Sequence, residues 1–129
     1  MELKSEAKLL RIFLGEADKV KHTALYEIIV REARKSGLAG ATVWRGIMGF
    51  GPTSRIRTAR ILDLSTDLPI VVEIADEEEK INRFLPTLHD LFESAQCGAL
   101  ITVENIRVIK YVRGKGPEES TGAHRRPRP

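Results

Sequence analysis

Gly40-Ala41-Thr42-Val43-Trp44-Arg45-Gly46-Ile47-Met48-Gly49-Phe50-Gly51 decides how the chain is read, because a run of β-formers ends there in three glycines with arginines on either side. Glycine admits backbone angles and close approaches that a Cβ forbids. The stretch that follows, Pro52-Thr53-Ser54-Arg55-Ile56-Arg57-Thr58-Ala59-Arg60, adds cationic donors without one acidic residue. Guanidinium groups pair planar oxyanions in a two-pronged geometry, so a glycine-hinged, arginine-rich loop is suited to an anion or a partner protein.

Working outward, residues 7–14 read as a buried strand ended by Gly15 and the polar turn Glu16-Ala17-Asp18-Lys19. Thr23 is placed to cap a helix whose Leu25, Ile28, Ile29 and Ala33 recur at helical spacing until Ser36-Gly37. Residues 40–48 form the second strand, and a long loop or irregular hairpin spans 49–68. Residues 68–75, Leu-Pro-Ile-Val-Val-Glu-Ile-Ala, are the third core strand, with the proline near its start where a missing donor is tolerated. Asp76 is placed to cap a second helix with an apolar face of Ile81, Phe84, Leu85, Leu88, Leu91 and Phe92, in which Pro86 predicts a kink or break. Residues 98–103 and 106–112 form a last strand, or two joined at Glu104-Asn105. The order is βαββαβ, an α+β, ferredoxin-like sandwich with an antiparallel sheet and both helices on one face. Its other face then needs cover, which predicts oligomerisation.

The 129 residues suit one domain, 1–113, followed by a Gly-, Pro- and charge-rich tail, 114–129, expected to be disordered. No apolar run approaches the length of a membrane span, and the charged start lacks the apolar core of a signal peptide. The single cysteine, Cys97, excludes an internal disulfide and a Cys-rich metal site, and a cytoplasmic location is expected. The net charge of +3 is unevenly spread: residues 45–60 carry four arginines and no acid, whereas the chain outside this loop and the tail is net acidic. Such a distribution argues for a local anion site and against a general nucleic-acid-binding face.

Arg45 on a strand needs a partner if buried: an intersubunit ion pair or a phosphate. Trp44 reads as core or subunit interface rather than a stacking platform. Glu16, Asp18 and His22 make only a loose metal-ligand spacing, so no metal site is assigned. His89 and His124 have no helical partner. No nucleophile-base pair or paired carboxylates stand out, and an enzyme is not expected.

Gly37-Leu38-Ala39-Gly40-Ala41-Thr42-Val43 with Arg45-Gly46, Gly49-Phe50-Gly51, Leu68-Pro69 and Val103-Glu104-Asn105-Ile106-Arg107-Val108 resembles the PII signal-transduction superfamily, specifically its PII-like branch long catalogued as a domain of unknown function. The likeness covers roughly residues 7–113. It implies a homotrimer with sheets packed inward, three intersubunit clefts, and a flexible loop that engages a target such as a membrane transporter or an enzyme. An adenine nucleotide or another small anionic ligand is implied in the clefts. By position, Gly49, Phe50 and Gly51 match the family's loop base, and Lys110 and Arg113 are set loosely against its phosphate-facing basic residues; with Arg45 and Gly46, read from the end of the strand, these are the candidate ligand residues, and Arg55, Arg57 and Arg60 are the candidate ligand or partner contacts on loop 49–67. The link 93–99 lacks the Gly-rich, Lys-containing loop that helps hold phosphates in nucleotide-binding members, which leaves a smaller anion open as the ligand. No tyrosine lies between Gly49 and Leu68, so the tyrosine modification of some members is excluded there. A metal-handling or structural trimer of the cation-tolerance type is the alternative reading.

Overall fold

A computed structural model describes residues 5–59 and 67–115. The first strand, β1 (Glu6–Gly15), turns Leu10, Ile12 and Leu14 inward, and all three are buried. After a two-residue hairpin of β2 (Lys19–Val20) and β3 (Thr23–Ala24) comes helix α1 (Leu25–Lys35). Strand β4 (Thr42–Arg45) precedes a small hairpin of β5 (Met48–Gly49) and β6 (Arg57–Thr58). Strand β7 (Pro69–Asp76), helix α2 (Glu78–Ala95) and strand β8 (Leu100–Arg107) complete the fold.

The main sheet has the order β4-β7-β1-β8 with every neighbouring pair antiparallel, which is the ferredoxin-like arrangement. Register places Leu10 opposite Ile74, Ile12 opposite Val72 and Leu14 opposite Ile70, so one face of the two central strands is continuously apolar. That face packs against Leu25, Ile29 and Ala33 of α1 and Ile81, Phe84, Leu88 and Phe92 of α2, as the helical spacing predicts. Burying each of these large side chains stabilises the fold by roughly 1.5–3 kcal/mol.

Several local expectations are corrected. Thr23 does not cap α1: it pairs with Val20 in the hairpin, Ala24 occupies the cap position without a side-chain bond, and the Leu25 amide donates to the Asp18 carbonyl at 2.8 Å. Asp76 does not cap α2 either. It ends β7, and the cap position belongs to Glu77. The strand expected over 40–48 divides, because the Gly46 amide donates to the Pro69 carbonyl at 2.7 Å and the chain then leaves the sheet for β5. Helix α2 runs without a break through Pro86, which is exposed. The last strand is one strand that passes straight through Glu104-Asn105, and residues 108–112 lie beyond it. Most of the basic tail, residues 116–129, lies outside the described residues.

The open face of the sheet carries two cross-strand rows. Trp44, Val71, Phe13 and Leu100 are in register across all four strands and form an apolar row, with Trp44 58% and Leu100 48% exposed. Beside it, Arg11 donates to Glu73 at 2.9 Å and pairs with Glu104 at 2.5 Å, while the Trp44 indole donates to Glu73 at 3.1 Å. The Arg11 hydrogen bond, then that from Trp44, holds the Glu73 carboxyl below its ordinary range.

Candidate functional site

The base of the loop after β4 encloses a cavity of about 310 Å³, within the size range of small-molecule sites. Strand residues Phe13, Leu14, Ile70, Val71 and Leu100 supply its apolar floor, and Gly46, Gly49, Phe50 and Gly51 supply its rim. Close approach favours glycine at one rim position: a Cβ on Gly49 would lie 3.2 Å from Pro69 Cγ, so the ring would have to give by a few tenths of an ångström. At Gly51 a Cβ would meet no atom of the chain within 4 Å, so that position faces open space. Phe50 is 71% exposed.

Of the described residues lining this cavity, two are charged, Asp18 and Arg57. Arg57 Nε donates to Asp67 Oδ2 at 3.1 Å, and its terminal nitrogen lies 3.7 Å from Asp18 Oδ1. Arg55 also pairs with Asp67, at 2.9 Å. The other Asp67 oxygen accepts the Ala17 amide at 2.9 Å, and Asp18 accepts the Gly15 amide at 2.8 Å. Burial pushes the Asp67 carboxyl up, but the Ala17 amide and the Arg57 and Arg55 guanidiniums outweigh it and hold the group below its ordinary range. Nearby, burial, reinforced by Asp18, pushes the Cys97 thiol up to about 11. A thiol so placed is a packed side chain with little thiolate character at neutral pH.

The candidate residues separate into groups. Gly46, Gly49, Phe50 and Gly51 converge on the cavity, and Arg45 stands beside its rim, paired with Glu16 at 3.0 Å. Lys110 and Arg113 are not brought there within one chain. Strand β7 runs from Pro69 at the loop base to Asp76 at the far end, where the Asp76 carboxylate accepts the Ala39 amide at 2.9 Å. The Ala39 carbonyl in turn accepts the Tyr111 hydroxyl at 3.2 Å, which fixes the segment carrying Lys110 at that far end. Lys110 lines a separate cleft of about 450 Å³ with Thr42, Glu73 and Tyr111. Of the three candidate partner contacts, Arg55 is exposed, the Arg57 side chain is only 12% exposed, and Arg60 lies outside the described residues.

A larger groove of about 740 Å³ also lies at the far end, but its lining of Glu6, Lys8, Glu77, Glu78, Glu79 and Arg107 is a solvated charged surface. Among the described residues no group of three or more His, Cys, Asp or Glu is placed to hold a metal ion, and no helix is long and apolar enough to cross a membrane. Glu16 and Asp18 are engaged by arginines and backbone amides, and His22 is exposed. The sequence signal that reaches this site is the glycine spacing; Asp18, which reads in sequence as a polar-turn residue with a loose metal-ligand spacing, and Asp67, which reads as the end of the loop, are joined to the site only by the fold.

The antiparallel ferredoxin-like sheet with its loop after β4 is similar to that of PII-like proteins. CPII, a nitrogen regulatory PII-like protein from Thiomonas intermedia whose structure was solved bound to ADP, AMP and bicarbonate, superposes with a TM-score of 0.62 at 22% identity, covering 81% of this chain and 90% of that one. A putative PII-like signaling protein from Thermus thermophilus gives a TM-score of 0.59 at 25% identity, over 87% of this chain and 100% of that one. Residues 7–108 match the DUF190 family model, described as "Uncharacterized ACR", and the chain belongs to that family. A UPF0166 protein of Aquifex aeolicus is 43% identical over 102 residues, 79% of this chain and 92% of the relative. A second, from Methanocaldococcus jannaschii, is 36% identical over 105 residues, 81% of this chain and 94% of the relative.

Proposed function

We propose that this protein is a PII-like regulator that binds a small anionic ligand, an adenine nucleotide foremost, at the base of loop 49–67 and signals through that loop to a partner protein. The observation that carries the reading is the loop-base cavity: an apolar floor, a glycine rim with open space at Gly51, and a largely buried arginine in its lining. The ligands of the structurally similar CPII, namely ADP, AMP and bicarbonate, support an anion of this class. The ligand acts by population shift, its contacts favouring one loop arrangement and so changing the affinity for a membrane transporter or enzyme target.

A homotrimer completes the proposal. The apolar row Trp44–Val71–Phe13–Leu100 gives the open sheet face something to bury. In this assembly Lys110, next to the Tyr111 that is bonded to Ala39 at the far end of its own sheet, and Arg113 serve a loop-base cavity on a neighbouring copy. The location proposed is the cytoplasm.

The test has two parts. Mass in solution by light scattering should give three copies. Calorimetric titration with ADP and AMP should show binding that Gly51→Val weakens about 10-fold or more, because the added side chain fills space that the chain itself leaves open. Unchanged affinity in Gly51→Val would refute the placement, and a monomer at every concentration would refute the assembly.

A further inference from the structure

Loop 49–67 returns to the sheet through a small ion network, two of whose members, Arg57 and Asp18, line the cavity. Arg57, Asp67 and Asp18 have side chains 12%, 14% and 16% exposed. The seat for the guanidinium is built by β1: a Cβ on Gly15 would fall 2.5 Å from Arg57 Cζ and Nε, so the missing side chain is what admits the arginine. A charge held this far from water needs a counter-charge. Asp67 supplies it through Oδ2 while its Oδ1 fastens the Ala17 amide, so this carboxylate ties hairpin strand β6 to the turn after β1 at the point where the loop rejoins β7.

We propose that Arg57, rather than touching a partner protein, receives the oxyanion of the ligand in this cavity, and that it does so in exchange for Asp67, so that binding unfastens the return limb of the loop. The inference rests on the reading of the cavity as a small-anion site. Its chemistry is substitution of one oxyanion for another. A carboxylate, bicarbonate or phosphate oxygen presents to a guanidinium the same acceptors that Asp67 presents now. Three anions around one buried cation repel, so one must leave. Each carboxylate also accepts a backbone amide, Gly15 for Asp18 at 2.8 Å and Ala17 for Asp67 at 2.9 Å, but Asp67 has the exposed Arg55, 2.9 Å away, with which it can depart as a ready counter-ion. The exchange therefore conserves charge pairing, and what changes is the tether between β6, Ala17 and the start of β7. Ligand occupancy and loop freedom become one equilibrium.

The experiment titrates the full chain calorimetrically with ADP, adenosine, sodium phosphate and bicarbonate, in the wild type, Arg57→Gln, Asp67→Asn and the double variant, each checked for folding by circular dichroism. Asp67→Asn removes the competing carboxylate and should tighten ADP binding about 3- to 10-fold, a direction opposite to that of a merely destabilising change. Arg57→Gln should weaken it about 10-fold or more, the double variant should resemble Arg57→Gln, and adenosine should respond to neither. Should Arg57→Gln fail to fold, the sign of the Asp67→Asn effect decides alone. In the wild type, ADP should also speed hydrogen exchange at the Ala17 amide as its acceptor leaves. Binding of phosphate or bicarbonate alone, lost in Arg57→Gln, assigns the oxyanion to a free ion, and binding of ADP alone assigns it to the nucleotide; in either case the exchange is supported when Asp67→Asn tightens binding of the probe that binds. ADP affinity that falls or stays unchanged in Asp67→Asn overturns the exchange and leaves the ligand site standing. A wild type that binds none of the four probes overturns both.

Discussion

Asp76→Ala tests whether the far end of the sheet is organised by one buried carboxylate. Asp76 has no exposed surface. Its Oδ1 accepts the Glu77 amide at 2.6 Å and its Oδ2 accepts the Ala39 amide at 2.9 Å, so it fastens the loop before β4 to the end of β7. Alanine would leave two sheltered amides without acceptors, at roughly 1–3 kcal/mol each. Relief of the desolvated carboxylate offsets part of this loss, which leaves a destabilisation of about 2–4 kcal/mol. At roughly 4 °C per kcal/mol for a domain of this size, Tm should fall by about 8–16 °C. Urea unfolding at fixed protein concentration measures the change, with the m-value unchanged because the exposed surface is the same. Asp76→Asn keeps one acceptor and should cost about half as much. Tyr111→Phe, which removes only the hydroxyl bonded to the Ala39 carbonyl, should cost about 0.5–1.5 kcal/mol. A loss below about 1 kcal/mol in Asp76→Ala would refute the reasoning, since it would mean that the two amides find water at no great cost.

Two further expectations concern titration. The Asp67 carboxyl sits below its ordinary value of 3.8, so its folded pKa is below its unfolded one. Its pairing thus stabilises the fold above the unfolded pKa and is lost as the pH falls through the folded one. The stability gap between wild type and Asp67→Asn in urea should be full near about pH 6 and shrink below about pH 4; a gap independent of pH would count against the ion network. Cys97, with its thiol at about 11, should react with iodoacetamide about 10-fold more slowly at pH 8 than a free cysteine peptide and gain reactivity on unfolding, as peptide mapping by mass spectrometry would show. Equal rates would contradict its sheltered position beside Asp18.

The periodic elements were legible because burial on one face imposes a period. Leu10, Ile12 and Leu14 alternate at strand spacing, and Ile81, Phe84, Leu88 and Phe92 recur at helix spacing, so the βαββαβ order follows from the residues. Neither expected cap forms, for a local reason: Thr23 and Asp76 have the side chains that cap helices, but a hairpin claims the first and a long-range amide, Ala39, claims the second. Pro86 does not break α2, since a proline on the exposed side of a well-packed helix loses a bond that water replaces.

The sequence by itself determined the fold class, the glycine cluster at the loop base and the position of the arginine-rich loop, because these rest on local conformational preference and on periodic burial. Only the tertiary structure decided what each arginine does. Arg55 and Arg57, two residues apart on one loop, share Asp67, yet one is exposed and the other is seated against Gly15 beside Asp18. It likewise set Lys110 at the opposite end of the sheet from Gly49 and Gly51, through the contact of Tyr111 with Ala39. Ion pairing and enclosure depend on residues far apart in the chain meeting across the sheet, and no spacing along the sequence encodes which carboxylate a given guanidinium will meet.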